Sequence, residues 1–150
     1  VADSQIRFRM GEIEVTSKLI DASFPDYRQL IPKDAELTLV LDKAEINRMA
    51  KVAALFARES NGSIVCEAKA DTNTFSISAV ASEIGENSSD IEVDVEKDEK
   101  VTLNSKYLID ALNATTEGKI RMSFSGKLSP IVIRNEKSED YTHIIMPLKS

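Results

Sequence analysis

Only one cysteine and one histidine occur in this 150-residue chain, Cys66 and His143. A single thiol excludes an internal disulfide, and one thiol with one imidazole cannot supply the ligand set of a structural zinc. No metal or cofactor is expected, and a reducing cytoplasm fits such a chain best. No apolar run approaches the roughly 18 residues of a membrane span. The opening residues VADSQIRFRM lack the charged, apolar and small-residue zones of a secretory leader. The triplets Asn-x-Ser/Thr at Asn61, Asn87 and Asn113 therefore carry no weight as glycosylation acceptors, since they matter only in a secreted protein. Catalytic signatures are missing as well: there is no Gly-rich phosphate loop, no GxSxG elbow and no HExxH pair. His143 falls in an alternating run, where a structural or exposed role outweighs general-base work. Asp90 and Glu92 read as decoration of an exposed strand. No enzyme is expected.

Also lacking is an excess of positive charge. The net charge is -6 and the pI near 4.9, which disfavours a simple basic nucleic-acid binder that neutralises phosphates over a broad face. The distribution is uneven, however. Between Lys43 and Arg58 four cations (Lys43, Arg48, Lys51, Arg58) face Glu45 alone, a local +3, so the remainder carries -9. Such a body repels nucleic acid over most of its surface and tolerates it along one helix.

With 42% hydrophobic and 29% charged residues, one ordinary core and a fragment of a second are affordable. Gln5 to Ile20 alternates about Met10-Gly11 and predicts a β-hairpin. Residues Asp21 to Pro32 hold two prolines and the apolar anchors Phe24, Tyr27, Leu30 and Ile31, the mark of an ordered linker. A pattern then appears twice. Leu37 to Leu41 predicts a strand running into the capping box Asp42-Lys43-Ala44-Glu45. Ile46, Met49, Ala50, Ala53 and Phe56 follow at helical spacing until Asn61-Gly62. Strands are predicted at Ile64 to Ala68, Thr74 to Ala79 and Asp90 to Val95. Val101 to Leu103 repeats the first strand, and Asn104-Ser105 repeats the cap. A helix with Leu108, Ile109, Ala111 and Leu112 comes next, then strands at Ile120 to Phe124, Ile131 to Ile133 and Thr142 to Met146. The two β-α-β-β-β halves align through Leu41-Asp42 and Leu103-Asn104, a repeat of structure with few identical letters.

Two strings go further. TSKLIDASFPDYRQLIPK (Thr16 to Lys33) and the closing Tyr141 to Lys149, ending IIMPLK, resemble segments of the β sliding clamp of bacterial DNA polymerase III. The resemblance covers essentially the whole chain and implies an α+β DNA clamp fold, with the helices of the two repeats on the inner side and antiparallel sheets outside. It implies that residues 1–31 are the final hairpin and linker of a middle domain and 32–150 the C-terminal domain. The implied function is that of a non-catalytic processivity factor: part of a head-to-tail dimeric ring that encircles duplex DNA without reading sequence. Such a ring tethers polymerase, clamp loader and repair proteins through short hydrophobic motifs.

Site residues follow from the same resemblance. A partner-peptide pocket is implied at Pro25, Tyr27, Arg28, Leu30, Asn104, Tyr107, Ile144, Ile145, Met146, Pro147 and Leu148. Methionine and branched aliphatics suit an adaptable apolar cleft, although an apolar tail is equally the last strand packing on the core. Gln29 stands where many such clamps have arginine. A subunit interface is implied at Leu55, Phe56, Glu83 and Glu86; Phe56 also continues the core stripe, and by themselves the two glutamates read more readily as solvated loop charges. A DNA-facing stripe is implied at Arg48, Lys51, Arg58 and Lys106, against the plainer reading of a solvated helical face. With most of the ring absent, the chain is expected to be monomeric and to bind peptide weakly. The competing reading is a stand-alone interaction module of the same fold that never encloses DNA.

Overall fold

Alternation sets the first strand of each half. In the computed structural model, which describes residues 4–24, 26–82, 85–116 and 118–149, β3 (Leu37–Asp42) buries Leu37, Leu39 and Leu41 and leaves Thr38 and Val40 outside. Its counterpart β7 (Glu99–Asn104) buries Val101 and Leu103 in the same way. Each strand runs directly into a helix, and the last strand residue is the cap. Asp42 accepts from the amides of Ala44 and Glu45 at 2.9 and 3.1 Å to start α1 (Lys43–Phe56). Asn104 accepts from Lys106 N at 3.0 Å to start α2 (Ser105–Ala114). Such caps are worth about 1 kcal/mol each. A 3₁₀ turn, Ala57–Ser60, finishes α1 and ends at Asn61, whose φ of 54° is left-handed. Gly62 follows at φ +79°, where an added Cβ would stand 3.1 Å from the Asn104 side chain, so the Asn-Gly pair is required by backbone shape and by space.

Three strands follow each helix: β4 (Ser63–Lys69), β5 (Thr74–Ala81) and β6 (Gly85–Glu92) in the first half, β8 (Lys119–Phe124), β9 (Ile131–Asn135) and β10 (Thr142–Ile145) in the second. The halves exchange their first strands. One sheet has the order β10-β9-β8-β3 and the other β6-β5-β4-β7, and every pairing is antiparallel. Equivalent bonds lock both exchanges: Lys43 N donates to Gly118 O at 3.0 Å, and Ser105 N donates to Gly62 O at 2.7 Å. The start of each helix is thereby held near the end of the other, so α1 and α2 lie side by side and antiparallel. Their inner faces (Ile46, Met49, Ala50 and Ala53; Leu108, Ala111 and Leu112) join Leu39, Ile64, Phe75, Ile77, Ile120, Met122 and Phe124 in one core. Each large side chain buried there contributes about 1.5–3 kcal/mol.

The structure departs from the sequence expectation most clearly at the third strand. The predicted strand Asp90 to Val95 lies instead at Gly85–Glu92. Its register on β5 runs from Thr74↔Glu92 to Ala81↔Gly85, so its middle, Glu86 to Asp90, is an edge strand without apolar alternation. Hydrogen bonding to β5 recruited these polar residues; the alternating Ile91, Val93 and Val95 straddle the strand end, Val95 buried in the core and Ile91 and Val93 half-buried against it. The final strand stops at Ile145, before Met146, because Pro147 has no amide to continue a ladder.

Ahead of these halves, β1 (Gln5–Met10) and β2 (Ile13–Lys18) form the predicted hairpin. Phe8 opposes Val15 and Met10 opposes Ile13, giving one apolar face whose residues are exposed. The other face carries the Arg7–Glu14 ion pair at 3.2 Å. Among the described residues no helix is long and apolar enough to cross a membrane.

Cys66 lies on β4 between Ile77 and Val101, fully buried. Burial pushes its thiol from 9.0 up to about 12, which leaves it protonated and unreactive. A thiol reagent at pH 8 is expected to label the native chain only at the rate of global unfolding, and a urea-unfolded chain at once. The unfolded thiol ionises above its ordinary value while the folded one holds its proton. This contribution to stability is therefore complete below pH 9 and declines as pH rises toward 12. Urea midpoints of Cys66→Ala against the unsubstituted chain across that interval measure the decline.

Candidate partner and nucleic-acid surfaces

Three surfaces gather the residues singled out in the sequence. The first is formed by the tail. Beyond β10 the chain leaves its sheet, and Leu148 N donates to Thr102 O at 2.8 Å on the outer edge of β7. This bond sets Met146, Pro147 and Leu148 beside the start of α2, where Asn104 caps the helix and Tyr107 projects from its first turn, about half exposed. Asn104 is spoken for on both sides: it also donates to Asn61 O at 3.1 Å. Ile145 is buried and Ile144 half-buried, paired with Ile131 and Val132, while Met146 is 57% exposed. The tail thus serves the core through Ile145 and leaves an apolar, adaptable surface at Met146 and Tyr107.

Of the linker part of the predicted pocket, Tyr27 and Arg28 sit in a separate 3₁₀ turn, Tyr27–Gln29, and Leu30 caps its end. Asp26 caps it by accepting from Arg28 N at 3.1 Å, and the Arg28 guanidinium lies 5.9 Å from the Tyr27 ring centre. Among the described residues no hydrogen bond or ion pair joins this turn to the tail. The tail is bonded to β7 just ahead of α2, and the linker residues Tyr27, Arg28 and Leu30 are exposed. Pro25 lies outside the described residues. Close by in sequence, the hydroxyl of Tyr141, just before β10, and Nδ1 of His143, within it, are 2.7 Å apart.

The second surface is at the end of α1. Leu55 is 53% exposed, whereas Phe56 packs half-buried against the core. Glu86, expected in a loop, is a strand residue of the edge strand β6 and pairs with Val80. Val80 is itself 65% exposed and was not singled out in the sequence; the alternation of β5 places it on the outer face, but only the sheet order reveals that it borders an edge. Glu83 lies outside the described residues.

The third is the paired helical face. Arg48 and Lys51 are exposed and, with Asn47, Val52 and Asn113, line a groove of about 580 Å³ between the start of α1 and the end of α2. Arg58 is exposed two residues beyond α1, in the 3₁₀ turn rather than the helix proper. Lys106 is exposed on the first turn of α2, which the antiparallel pairing sets at the Arg58 end. The cations are therefore spread along both helices. Lys43, counted with them in the sequence, is buried, and its ammonium donates to Thr115 O at 2.9 Å. A cation there complements the carbonyl end of α2, so this charge serves the fold.

Doubled β-α-β-β-β halves with exchanged first strands and two adjacent helices on one face define a clamp-type domain. A solved sliding clamp from Bacillus subtilis superposes with a TM-score of 0.80 at 28% identity, over 100% of this chain and 40% of that one. Clamp structures from Pseudomonas aeruginosa and Thermotoga maritima agree in fold, each with a TM-score of 0.80, at 23% and 24% identity. Residues 28–149 match the family described as DNA polymerase III beta subunit, C-terminal domain, and the chain belongs to that family. Among curated relatives, the beta sliding clamp of Staphylococcus aureus is 28% identical over 151 residues, 99% of this chain. That of Staphylococcus epidermidis is 27% identical over the same span. The chain spans 40% of the length of these relatives.

Replacing Leu148 by proline removes the amide that holds the tail to Thr102. A loss of about 0.5–1.5 kcal/mol is expected in chemical denaturation, with faster hydrogen exchange confined to the tail. An unchanged melt and unchanged exchange would show that the tail is held by other contacts.

Proposed function

We propose that this chain is the C-terminal part of a ring-shaped, non-catalytic DNA polymerase processivity factor that encircles duplex DNA and tethers replication and repair proteins. The observation that carries this reading is the pair of antiparallel helices on one face, bearing Arg48, Lys51, Arg58 and Lys106 on a protein whose net charge is -6. A ring that cannot leave DNA sideways needs only weak, sequence-blind phosphate contact, and a few spaced cations supply it without arresting sliding. The acidic remainder of the surface keeps the outside clear of nucleic acid. No cofactor takes part, and the cytoplasm is the compartment of action.

In this reading residues 1–31 finish a middle domain and 32–150 form the C-terminal one. The uncovered apolar face of the β1–β2 hairpin supports the division, because an isolated two-stranded hairpin with one bare apolar face does not hold by itself. Tyr107, Met146, Pro147 and Leu148, with Asn104, Ile144 and Ile145 beneath, form the α2 side of a cleft for short hydrophobic motifs; Pro25, Tyr27, Arg28 and Leu30 approach it once the middle domain orders the linker. Leu55 and Phe56, with Glu83 and Glu86 at the rim, meet the other subunit of a head-to-tail dimer.

In the complete ring, Lys51→Glu with Arg58→Glu is expected to shorten retention on circular DNA at low salt severalfold, an effect that fades above about 0.5 M salt as screening sets in. Retention equal to that of the unsubstituted ring removes the DNA-facing assignment. The 150-residue chain alone is expected to sediment as a monomer and to bind a hydrophobic clamp-binding peptide more weakly than the complete protein does. Equal affinity of the two would falsify the divided cleft.

A further inference from the structure

β3 and β7 occupy equivalent places, each ending its sheet, yet their open edges differ. In an antiparallel ladder, residues bonded to the neighbouring strand alternate with residues whose N–H and C=O point away from it. The bonds Lys43 N to Gly118 O and Ser105 N to Gly62 O set this parity: odd-numbered residues of both strands bond to β8 and β4. Thr38 and Val40 on β3, like Thr102 on β7, therefore turn their backbone groups outward. On β7 the outward carbonyl of Thr102 is taken by Leu148 N at 2.8 Å.

The matching segment of the first half is 93–96, which follows β6 as 146–149 follows β10. Its amides are engaged elsewhere. Val93 N donates to Asn73 O at 2.9 Å and Val95 N to Asn73 Oδ1 at 3.1 Å. Between this segment and β3 a groove of about 470 Å³ stays open, walled by Thr38 and Val40 on one side and by Val93, Asp94 and Glu96 on the other. Val40 is 40% exposed there. The far wall is acidic, with Asp94 and Glu96 in the lining. Glu36, also in the lining, is paired with Lys97, and Lys119 stands in the lining on the strand side.

We propose that this groove is a strand-addition site for an extended basic peptide with alternating apolar residues. The outward N–H and C=O groups of Thr38 and Val40 supply the ladder, Val40 and Val93 receive the apolar side chains, and Asp94 and Glu96 pair with the cations. The tail on β7 is the internal precedent, since it docks an extended apolar segment on the equivalent edge. The site belongs to the first half of the repeat and stands independently of the clamp reading.

The test titrates the 150-residue chain with the fluorescein-labelled peptide Val-Lys-Val-Lys-Val-Lys-Val and follows anisotropy and backbone amide shifts. Saturable binding with a Kd below about 1 mM is expected, with the largest shifts on the amides of Thr38 and Val40. Val40→Pro removes the outward N–H without touching the bonds to β8, a substitution an edge strand accepts, and is expected to weaken binding roughly tenfold. Asp94→Asn with Glu96→Gln is expected to weaken it about threefold and to flatten its salt dependence. Should Val40→Pro not fold, the amide shifts of the unsubstituted chain decide alone. No binding at 1 mM, shifts centred on Tyr107 and Met146, equal binding of the peptide with Glu in place of Lys, or edge-to-edge dimers of the chain in sedimentation each overturn the proposal.

Discussion

The exchange of first strands between the two halves is the constraint from which the rest of this structure follows. β3 completes the sheet built by the second half and β7 the sheet built by the first, each locked by a backbone bond at a helix start: Lys43 to Gly118 and Ser105 to Gly62. Neither half can then bury its helix alone. Because each strand leads straight into its helix, the exchange also carries α1 and α2 across to one another, and the only arrangement that satisfies both bonds is antiparallel and side by side. The single core beneath both helices is a consequence of this crossing.

Charge is arranged around the same geometry. Lys43 is spent on the end of α2, where its ammonium satisfies Thr115 O, while Arg48 and Lys51 at one end of the helical pair and Arg58 and Lys106 at the other stay exposed. A sparse set of cations on an otherwise acidic body gives contact with phosphate that is weak at every point. In the ring proposed above, weakness is the useful property: closure supplies retention, and the proposed inner surface has only to avoid repulsion. The approximate two-fold likeness of the halves also exposes where they diverge. The tail closes the edge of β7, whereas Asn73 draws the equivalent segment away from β3 and leaves that edge beside an acidic wall.

Most elements were legible because their residues obey one period. Leu37, Leu39 and Leu41 alternate, and Ile46, Met49, Ala50 and Ala53 recur at helical spacing; Asp42 and Asn104 cap where a short polar side chain precedes each helix. β6 was misplaced because Glu86 to Asp90 is polar and gains its strand conformation from hydrogen bonds to β5. Of the residues proposed for the surfaces, those of the tail and the cations stand out in local strings and charge. Val80 escaped notice, since its place beside an edge depends on strand order. The inward turn of Lys43 is invisible in the sequence for a related reason: its partner Thr115 lies 72 residues away.

The sequence by itself determined the hairpin, the doubled β-α-β-β-β order, the caps, the positions of the turns and the family. These are local matters, set by side-chain period, short polar caps and the backbone freedom of Asn and Gly. Only the tertiary structure decided that the halves exchange strands, that Lys43 turns inward and that one of two equivalent edges remains open. Each of these depends on which backbone groups meet across distant parts of the chain, and hydrogen bonds of that kind are made by main-chain atoms every residue shares, so the side-chain pattern does not announce them.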